Sequence, residues 1–415
     1  MRIRQAEMTM EEAVNQCQHQ RQHQHQRQHG GRRWMAQRLV SWILGAIALV
    51  SLWVGTPGEI SVQASPLPSL SLPPNPALLA ALPSGNPISN GKALLRYSLP
   101  IGNEPIRQVQ TNLEEMSNAL RSKRWGPIKK KAKAADRVLK NKADKILADV
   151  PEAFQGQATE LIAQIETDLE ALRTAVDERD RNSIWEKRNE ILDKVGLIEE
   201  SMVTGFPFEV PEEYAHLPQL KGRATVEIET SKGTVQVTVD GYNAPVTAGN
   251  FIDLVQRGFY DGLPFIRAED SYVLQFGDPA GPKEGFHDPE TDEYRAIPLE
   301  IMVEGDTEPL YEYTTEEMGL FRKLPVLPFS AYGALAMARP ESDNNGASSQ
   351  VFFFLFEPEL TPAGANLLDG RYAVFGYTIS DKNGKPVLDK MRAGDKVISV
   401  KVISGAENLV QPAKA

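Results

Sequence analysis

Residues 262–278, GLPFIRAEDSYVLQFGD, set one arginine, Arg267, among hydrophobic neighbours and a glutamine, Gln275, eight positions later. A guanidinium is a permanent cation that only donates hydrogen bonds. Taken alone, Arg267 reads as an arginine paired to Glu269 or Asp270 at a barrel rim. Two histidine groups offer other chemistry. His19, His23, His25 and His29 lie in QCQHQRQHQHQRQHG, a composition that can bind metal. The plainer reading is a disordered tract ahead of a signal, or an upstream start that is not used. His287 with Asp288, Asp292 and Glu293 fits no standard metal loop. No metal site and no cofactor is expected. Cys17 is the single cysteine, so the exported chain forms no disulfide.

The chain has 415 residues and a net charge of −10, which argues against nucleic acid as a partner. One segment does not suit a soluble fold. Arg32, Arg33 and Arg38 flank an uncharged, mostly apolar run from Leu39 to Gly55, and SVQA follows with Val62 and Ala64 placed as small residues of a cleavage site. This is the order of an export signal, and the general export route fits better than the twin-arginine one. Residues 1–64 are therefore read as leader and signal. If 39–55 were retained, it would tie the protein to a membrane.

The elements that must position Arg267 come next. Residues 65–102 are dense in proline and read as an extended linker. From 103 to 203 the hydrophobic period is helical. Ile106, Val109, Leu113, Met116 and Leu120 form one stripe, and Ile128, Ala132, Ala135, Leu139, Ala143 and Ile146 a second. Leu161, Ile165, Leu169, Leu172 and Val176 form a third, and Ile184, Ile191, Val195, Ile198 and Met202 a fourth. Four stripes with short connections predict a four-helix bundle, and the lack of a Glu-x-x-His pair excludes a di-metal one. Its second helix, 121–145, carries eleven Lys or Arg against Asp136 and Asp144. It reads either as a solvated face or as a dock for an acidic protein or an anionic membrane face.

After a second linker, 204–221, the period becomes 2. Strand-like runs and two helices, one of them after Pro245, occupy 222–405 without βα alternation, and 406–415 is a tail. The expected fold is multidomain α + β. The bundle precedes a closed antiparallel eight-stranded barrel capped by two helices.

Residues 222–405 resemble the cyclophilin family of peptidyl-prolyl isomerases. The pieces GTVQVTVDGYNAPVTAGNFIDLV, GFYDGLPFIR, LQFGD, GALAMAR, NNGASSQVFFFL and LLDGRYAVFGY occur in the family's order. The arrangement of signal, bundle and barrel is similar to the large lumenal cyclophilins of cyanobacteria and chloroplasts, whose bundle resembles the extrinsic Q-type subunit of photosystem II. The resemblance implies a thylakoid-lumen or periplasmic location, proline-containing polypeptides as substrates and photosystem II subunits as partners. It makes Arg267 the catalytic cation, Gln275 the group that positions it, and Phe352 the floor under the proline ring. It places Phe265, Ile266, Tyr272, Val273, Met337, Ala338, Arg339, Gln350, Leu367, Leu368 and Tyr372 along the substrate groove.

Departures from the family pattern imply reduced activity. Ile266 stands for His, Asp270-Ser271 for Pro-Gly, Tyr272 and Val273 for Phe and Met, Arg339 for Asn, Leu367 for Trp and Tyr372 for His. The alternative function is a non-catalytic peptide-binding assembly chaperone for photosystem II proteins. An acidic insertion, about 283–325, reads as a solvated loop, a cover over the groove, or a contact for the basic helix.

Overall fold

The computed structural model describes residues 88–321, 323–356, 367–379 and 384–412. The leader, the signal run 39–55, the leader histidines and Cys17 lie outside the described residues. Among the described residues no helix is long and apolar enough to cross a membrane.

Among the described residues six helices precede the sheet: α1 (Gly91–Tyr97), α2 (Glu104–Glu114), α3 (Met116–Arg121), α4 (Trp125–Ala148), α5 (Glu152–Glu178) and α6 (Arg181–Ser201). The sequence reading expected four, and two differences account for the count. Helix α1 lies inside the stretch read as extended linker. No proline falls between Ile88 and Leu99, and the Asn90 side chain caps the helix by accepting from Ala93 N at 2.9 Å. The first expected helix is broken at Glu115, whose ψ of −15° departs from the helical −42° or so. The four stripes themselves are buried, with Ala143 and Leu161 half-buried.

The bundle interior also holds charge. Glu114 accepts from Arg188 Nη2 at 2.5 Å and pairs with Arg96. Glu199 is fully buried beside Arg107, whose Nη1 donates to Oε1 at 3.2 Å. Burial pushes the Glu199 carboxyl up to about 7, against the opposing pull of Arg107.

The strands are β1 (Gln219–Leu220), β2 (Arg223–Thr230), β3 (Gly233–Asp240), β4 (Phe265–Glu269), β5 (Val273–Phe276), β6 (Glu300–Ile301), β7 (Leu310–Tyr311), β8 (Ala334–Met337), β9 (Val351–Phe354), β10 (Val374–Thr378), β11 (Val397–Ser404) and β12 (Leu409–Val410). Eight form one antiparallel sheet in the order β11-β2-β3-β10-β8-β9-β5-β4. The sheet curls into a half-barrel and stays open, which corrects the expected closed barrel. Its edge strands make no ladder with each other. They approach only at their first residues, where the isolated bridge Pro264 to Lys396 is flanked by backbone hydrogen bonds such as Phe265 N to Asp395 O at 2.8 Å and Val397 N to Leu263 O at 2.9 Å.

Alternation along the strands separates two apolar faces. Val226, Ile228, Val237, Phe276, Val351, Phe353 and Phe375 point inward. Helix α7 (Pro245–Gln256) buries Phe251 and Leu254 against them, and α8 (Gly384–Leu388) adds Leu388. Helix α7 crosses β1 closely at Gly249. A Cβ there would lie 2.4 Å from Pro218 O and 2.5 Å from Gln219 Cα, so only glycine fits. On the other side of the sheet Phe352, Phe354, Val273, Ala334, Ala336 and Val374 form an outer cluster, joined by Leu94 and Leu95 of α1.

The insertion is solvated only in part: most of its acids are exposed, but it carries a packed core. Strands β6 and β7 pair as a hairpin, and Leu299, Ile301 and Val303 are buried against Ala373. Three of its acids form ion pairs: Asp292 with Lys283, Asp306 with Lys323 at 2.8 Å, and Glu316 with Arg371 at 2.5 Å. Glu300 is buried, with Oε2 accepting from Thr247 N at 2.8 Å and Oε1 accepting from Tyr311 Oη at 2.9 Å.

Bundle and sheet meet at Arg223. Its guanidinium donates to Asp240 Oδ2 at 2.7 Å, to Ser98 Oγ at 2.9 Å, to Glu200 Oε1 at 3.2 Å and to the Leu95 carbonyl. One side chain thereby links α6, the turn after α1, and β3.

Candidate active site

Strand β4 begins with Phe265 facing the core, where it packs on Phe276 with ring centroids 5.1 Å apart. The ladder to β5 shifts register between Phe265 and Arg267. This bulge leaves both Ile266 and Arg267 exposed and turns the arginine to the outer face. From there one row crosses the sheet. Arg267 is opposite Gln275, Gln275 opposite Phe352, and Phe352 opposite Ala336. Residues 85 positions apart in sequence therefore become neighbours through pairing alone.

The side chains refine that row. Arg267 is about half exposed and reaches Glu269, with its Nη2 and Nε both 2.6 Å from Oε1. Its guanidinium carbon lies 5.9 Å from the Tyr272 ring centroid. Gln275 does not hold Arg267, contrary to the expected positioning role. Its Nε2 donates to Gln350 Oε1 at 2.7 Å, and Gln350 Nε2 donates to Asp278 Oδ1 at 3.2 Å. The Gln275 amide is thus turned to Gln350, which in turn is held by Asp278, and Glu269, two residues along the same face, takes the cation.

Phe352 is 5 % exposed. Phe329, just after the insertion, stacks parallel to it at 5.9 Å, and Tyr372 meets it edge-on at 5.7 Å. Leu368 and Ala338 pack against the same cluster, and Val273 is buried within it. Tyr272 is partly exposed and sits edge-on to Phe354 at 5.9 Å. Arg339 covers Tyr372 at 5.0 Å and is held by the Arg371 carbonyl at 2.9 Å and 3.0 Å. Beside the row lies a cavity of about 260 Å³ lined by Gln275, Ala338, Arg339, Ser348, Gln350 and Tyr294.

Two expected groove residues are elsewhere. Phe265 and Met337 belong to the inner core: the bulge in β4 puts Phe265 and Arg267 on opposite faces, and strand alternation turns Met337 away from Ala336. Leu367 is 88 % exposed on the 367–370 turn. Sequence reasoning missed Phe329, which lies between the insertion and β8 with no periodic pattern to mark it. It also missed Asp278, whose part becomes visible only through Gln350. The four groups around His287 do not converge: His287 Nδ1 contacts Asp292 O at 3.1 Å, and the Asp292 carboxylate is taken by Lys283.

The family model described as "Cyclophilin type peptidyl-prolyl cis-trans isomerase/CLD" matches residues 225–407. A second, the "Peptidyl-prolyl cis-trans isomerase CYP38-like, PsbQ-like domain", matches 90–203. A protein of Synechocystis sp. provisionally named a thylakoid lumen peptidyl-prolyl cis-trans isomerase is 55% identical over 83% of this chain and 90% of its own. The chain belongs to the cyclophilin-type peptidyl-prolyl cis-trans isomerases. Two further cyclophilins, both from Arabidopsis thaliana and both named chloroplastic, show the same relation more distantly. CYP38 is 44% identical over 83% of each chain, and CYP37 is 33% identical over 78% of this chain and 71% of its own. The PsbQ-like match begins at residue 90 and so takes in α1. In this cyclophilin, then, the helix missed in the linker belongs to the same module as the bundle.

Proposed function

We propose that this cyclophilin isomerises prolyl bonds in exported polypeptides within a thylakoid lumen, and does so slowly. The observation that carries the reading is the row Arg267–Gln275–Phe352 on the outer face of the sheet. Rotation about a prolyl bond is opposed by a resonance barrier of ~20 kcal/mol. No bond has to break, so a catalyst need only favour the twisted amide, in which nitrogen regains a lone pair. Arg267 is the donor for that nitrogen, and Phe352, Leu368 and Tyr372 are the apolar groups for the ring. Lowering the barrier by ~5 kcal/mol would speed exchange a few thousandfold.

Slowness follows from the occupied guanidinium: each encounter has to take Arg267 from Glu269. The signal-like run before residue 65 and the lumenal and chloroplastic names of the relatives support the location. The test is exchange of a proline tetrapeptide by residues 65–415. Catalysis above background that Arg267→Ala abolishes is expected. Background rates from the unaltered chain would overturn the reading.

The second reading is an assembly chaperone that holds peptides without turning them over, with photosystem II subunits as clients. It is favoured by the depth of Phe352 under Phe329 and by the PsbQ-like module. It predicts saturable binding of proline peptides with no rate enhancement, and loses its ground if binding and turnover disappear together in Arg267→Ala.

A further inference from the structure

We infer that the outer face of α4, with the adjoining end of the bundle, docks on an anionic lipid bilayer. Helix α4 buries Ile128, Ala132, Ala135, Leu139 and Ile146. The opposite face is left to Lys130, Lys133, Arg137 and Lys140, all exposed. Their steps of 3, 4 and 3 residues put them in one stripe. The fold then adds cations that the sequence keeps far away. Lys129 bonds Asp177 at 2.6 Å, which fixes the α5–α6 turn beside the start of α4. That turn brings exposed Arg179 and Arg181 to the same end.

Internal pairing does not use up this charge. Lys131 pairs with Glu115, and Lys140 with Asp136 at 3.1 Å. Lys130, Lys133, Arg137, Arg179 and Arg181 have no salt-bridge partner among the described residues. The acidic insertion is not their partner either. Three of its carboxylates pair with Lys283, Lys323 and Arg371, and Leu299, Ile301 and Val303 are packed on the sheet. The occupant is therefore external, and on a chain of net charge −10 the patch is a local reversal of sign.

The chemistry of the face favours lipid over protein. Stable protein docking centres on a desolvated aromatic or apolar anchor. None of the exposed large apolar residues lies on α4 or at the α5–α6 turn. A lipid headgroup layer needs no anchor. It offers diffuse, mobile negative charge, which suits ammonium groups on flexible stems. Each cation near such a surface adds about 1 kcal/mol, additively.

The test is sedimentation of residues 65–415, which retain all the described residues, with lipid vesicles. Phosphatidylcholine mixed with phosphatidylglycerol is compared with phosphatidylcholine alone. The altered protein is Lys130→Gln/Lys133→Gln/Arg137→Gln, all on the solvent face. The control is Lys390→Gln/Lys396→Gln/Lys401→Gln, which changes net charge equally on the barrel. Pelleting with the anionic vesicles only, reversed by salt, is expected. The α4 triple variant should bind roughly a hundredfold more weakly, and the control should bind as the unaltered chain does. No pelleting, or equal loss in both variants, overturns the inference. Capture by soluble polyglutamate without vesicle binding also overturns it and assigns the face to an acidic protein.

Discussion

Replacing Glu269 with glutamine should make this cyclophilin faster. Glu269 and Arg267 form an ion pair in which both guanidinium contacts fall on one carboxylate oxygen at 2.6 Å, and each side chain is about half exposed. Such a pair is neither fork-to-fork nor desolvated, so it is worth about 0.2–1 kcal/mol. The paired state then outweighs the free one by roughly 1.4- to 5-fold. If substrate needs the free guanidinium, Glu269→Gln should raise kcat/KM about two- to sixfold. The assay is exchange of a proline peptide at fixed temperature, for the unaltered chain, Glu269→Gln and Arg267→Ala. Salt supplies an internal check, because screening weakens exposed pairs. Added salt should raise kcat/KM of the unaltered chain and leave Glu269→Gln nearly flat. An unchanged or lower kcat/KM in Glu269→Gln, or equal salt dependence in both, would refute competition for the arginine.

Three other outcomes are expected. Arg223→Ala removes the cationic partner of a fully buried Asp240 and three links between helices and sheet; denaturant unfolding should show a loss of about 3–5 kcal/mol. Glu199 has its carboxyl raised by burial from the ordinary 4.5 to about 7, so the folded state keeps a proton that the unfolded state releases. Its contribution is present below 4.5 and fades as pH rises to about 7, by up to about 3 kcal/mol; Glu199→Gln should remove that part of the slope in a series of thermal unfolding curves. Leu367 has no side-chain donor, so cyclosporin should bind weakly, and Leu367→Trp should tighten it about fivefold to tenfold in a calorimetric titration.

How far could this architecture be read without coordinates? The bundle stripes could, because one buried face per helix imposes a 3.6-residue period on Ile106 to Leu120 and its successors. The row of Arg267, Gln275 and Phe352 could as well, because six motifs in family order fix strand register. Helix α1 was lost to the company of its prolines: seven residues are too few for a period to outweigh the composition around them. Closure of the barrel was overcalled because alternation along β4 and β11 says which way side chains face and nothing about whether two edges meet. The insertion hides its core, Leu299, Ile301 and Val303, among Asp and Glu, three of which pair with Lys283, Lys323 and Arg371. The Arg267–Glu269 pair was legible as the plain reading of an isolated arginine, and it coexists with a site position.

Helix α7 starts at Pro245 after Ala244, a residue with no side chain to accept from the first turn. The insertion supplies that acceptor from 53 residues away, through Glu300. Trimming the loop to obtain a minimal cyclophilin would therefore uncover amide groups inside the remaining domain. A shortened version would need a replacement acceptor, such as Ala244→Asp, before its behaviour could be compared with that of the intact protein.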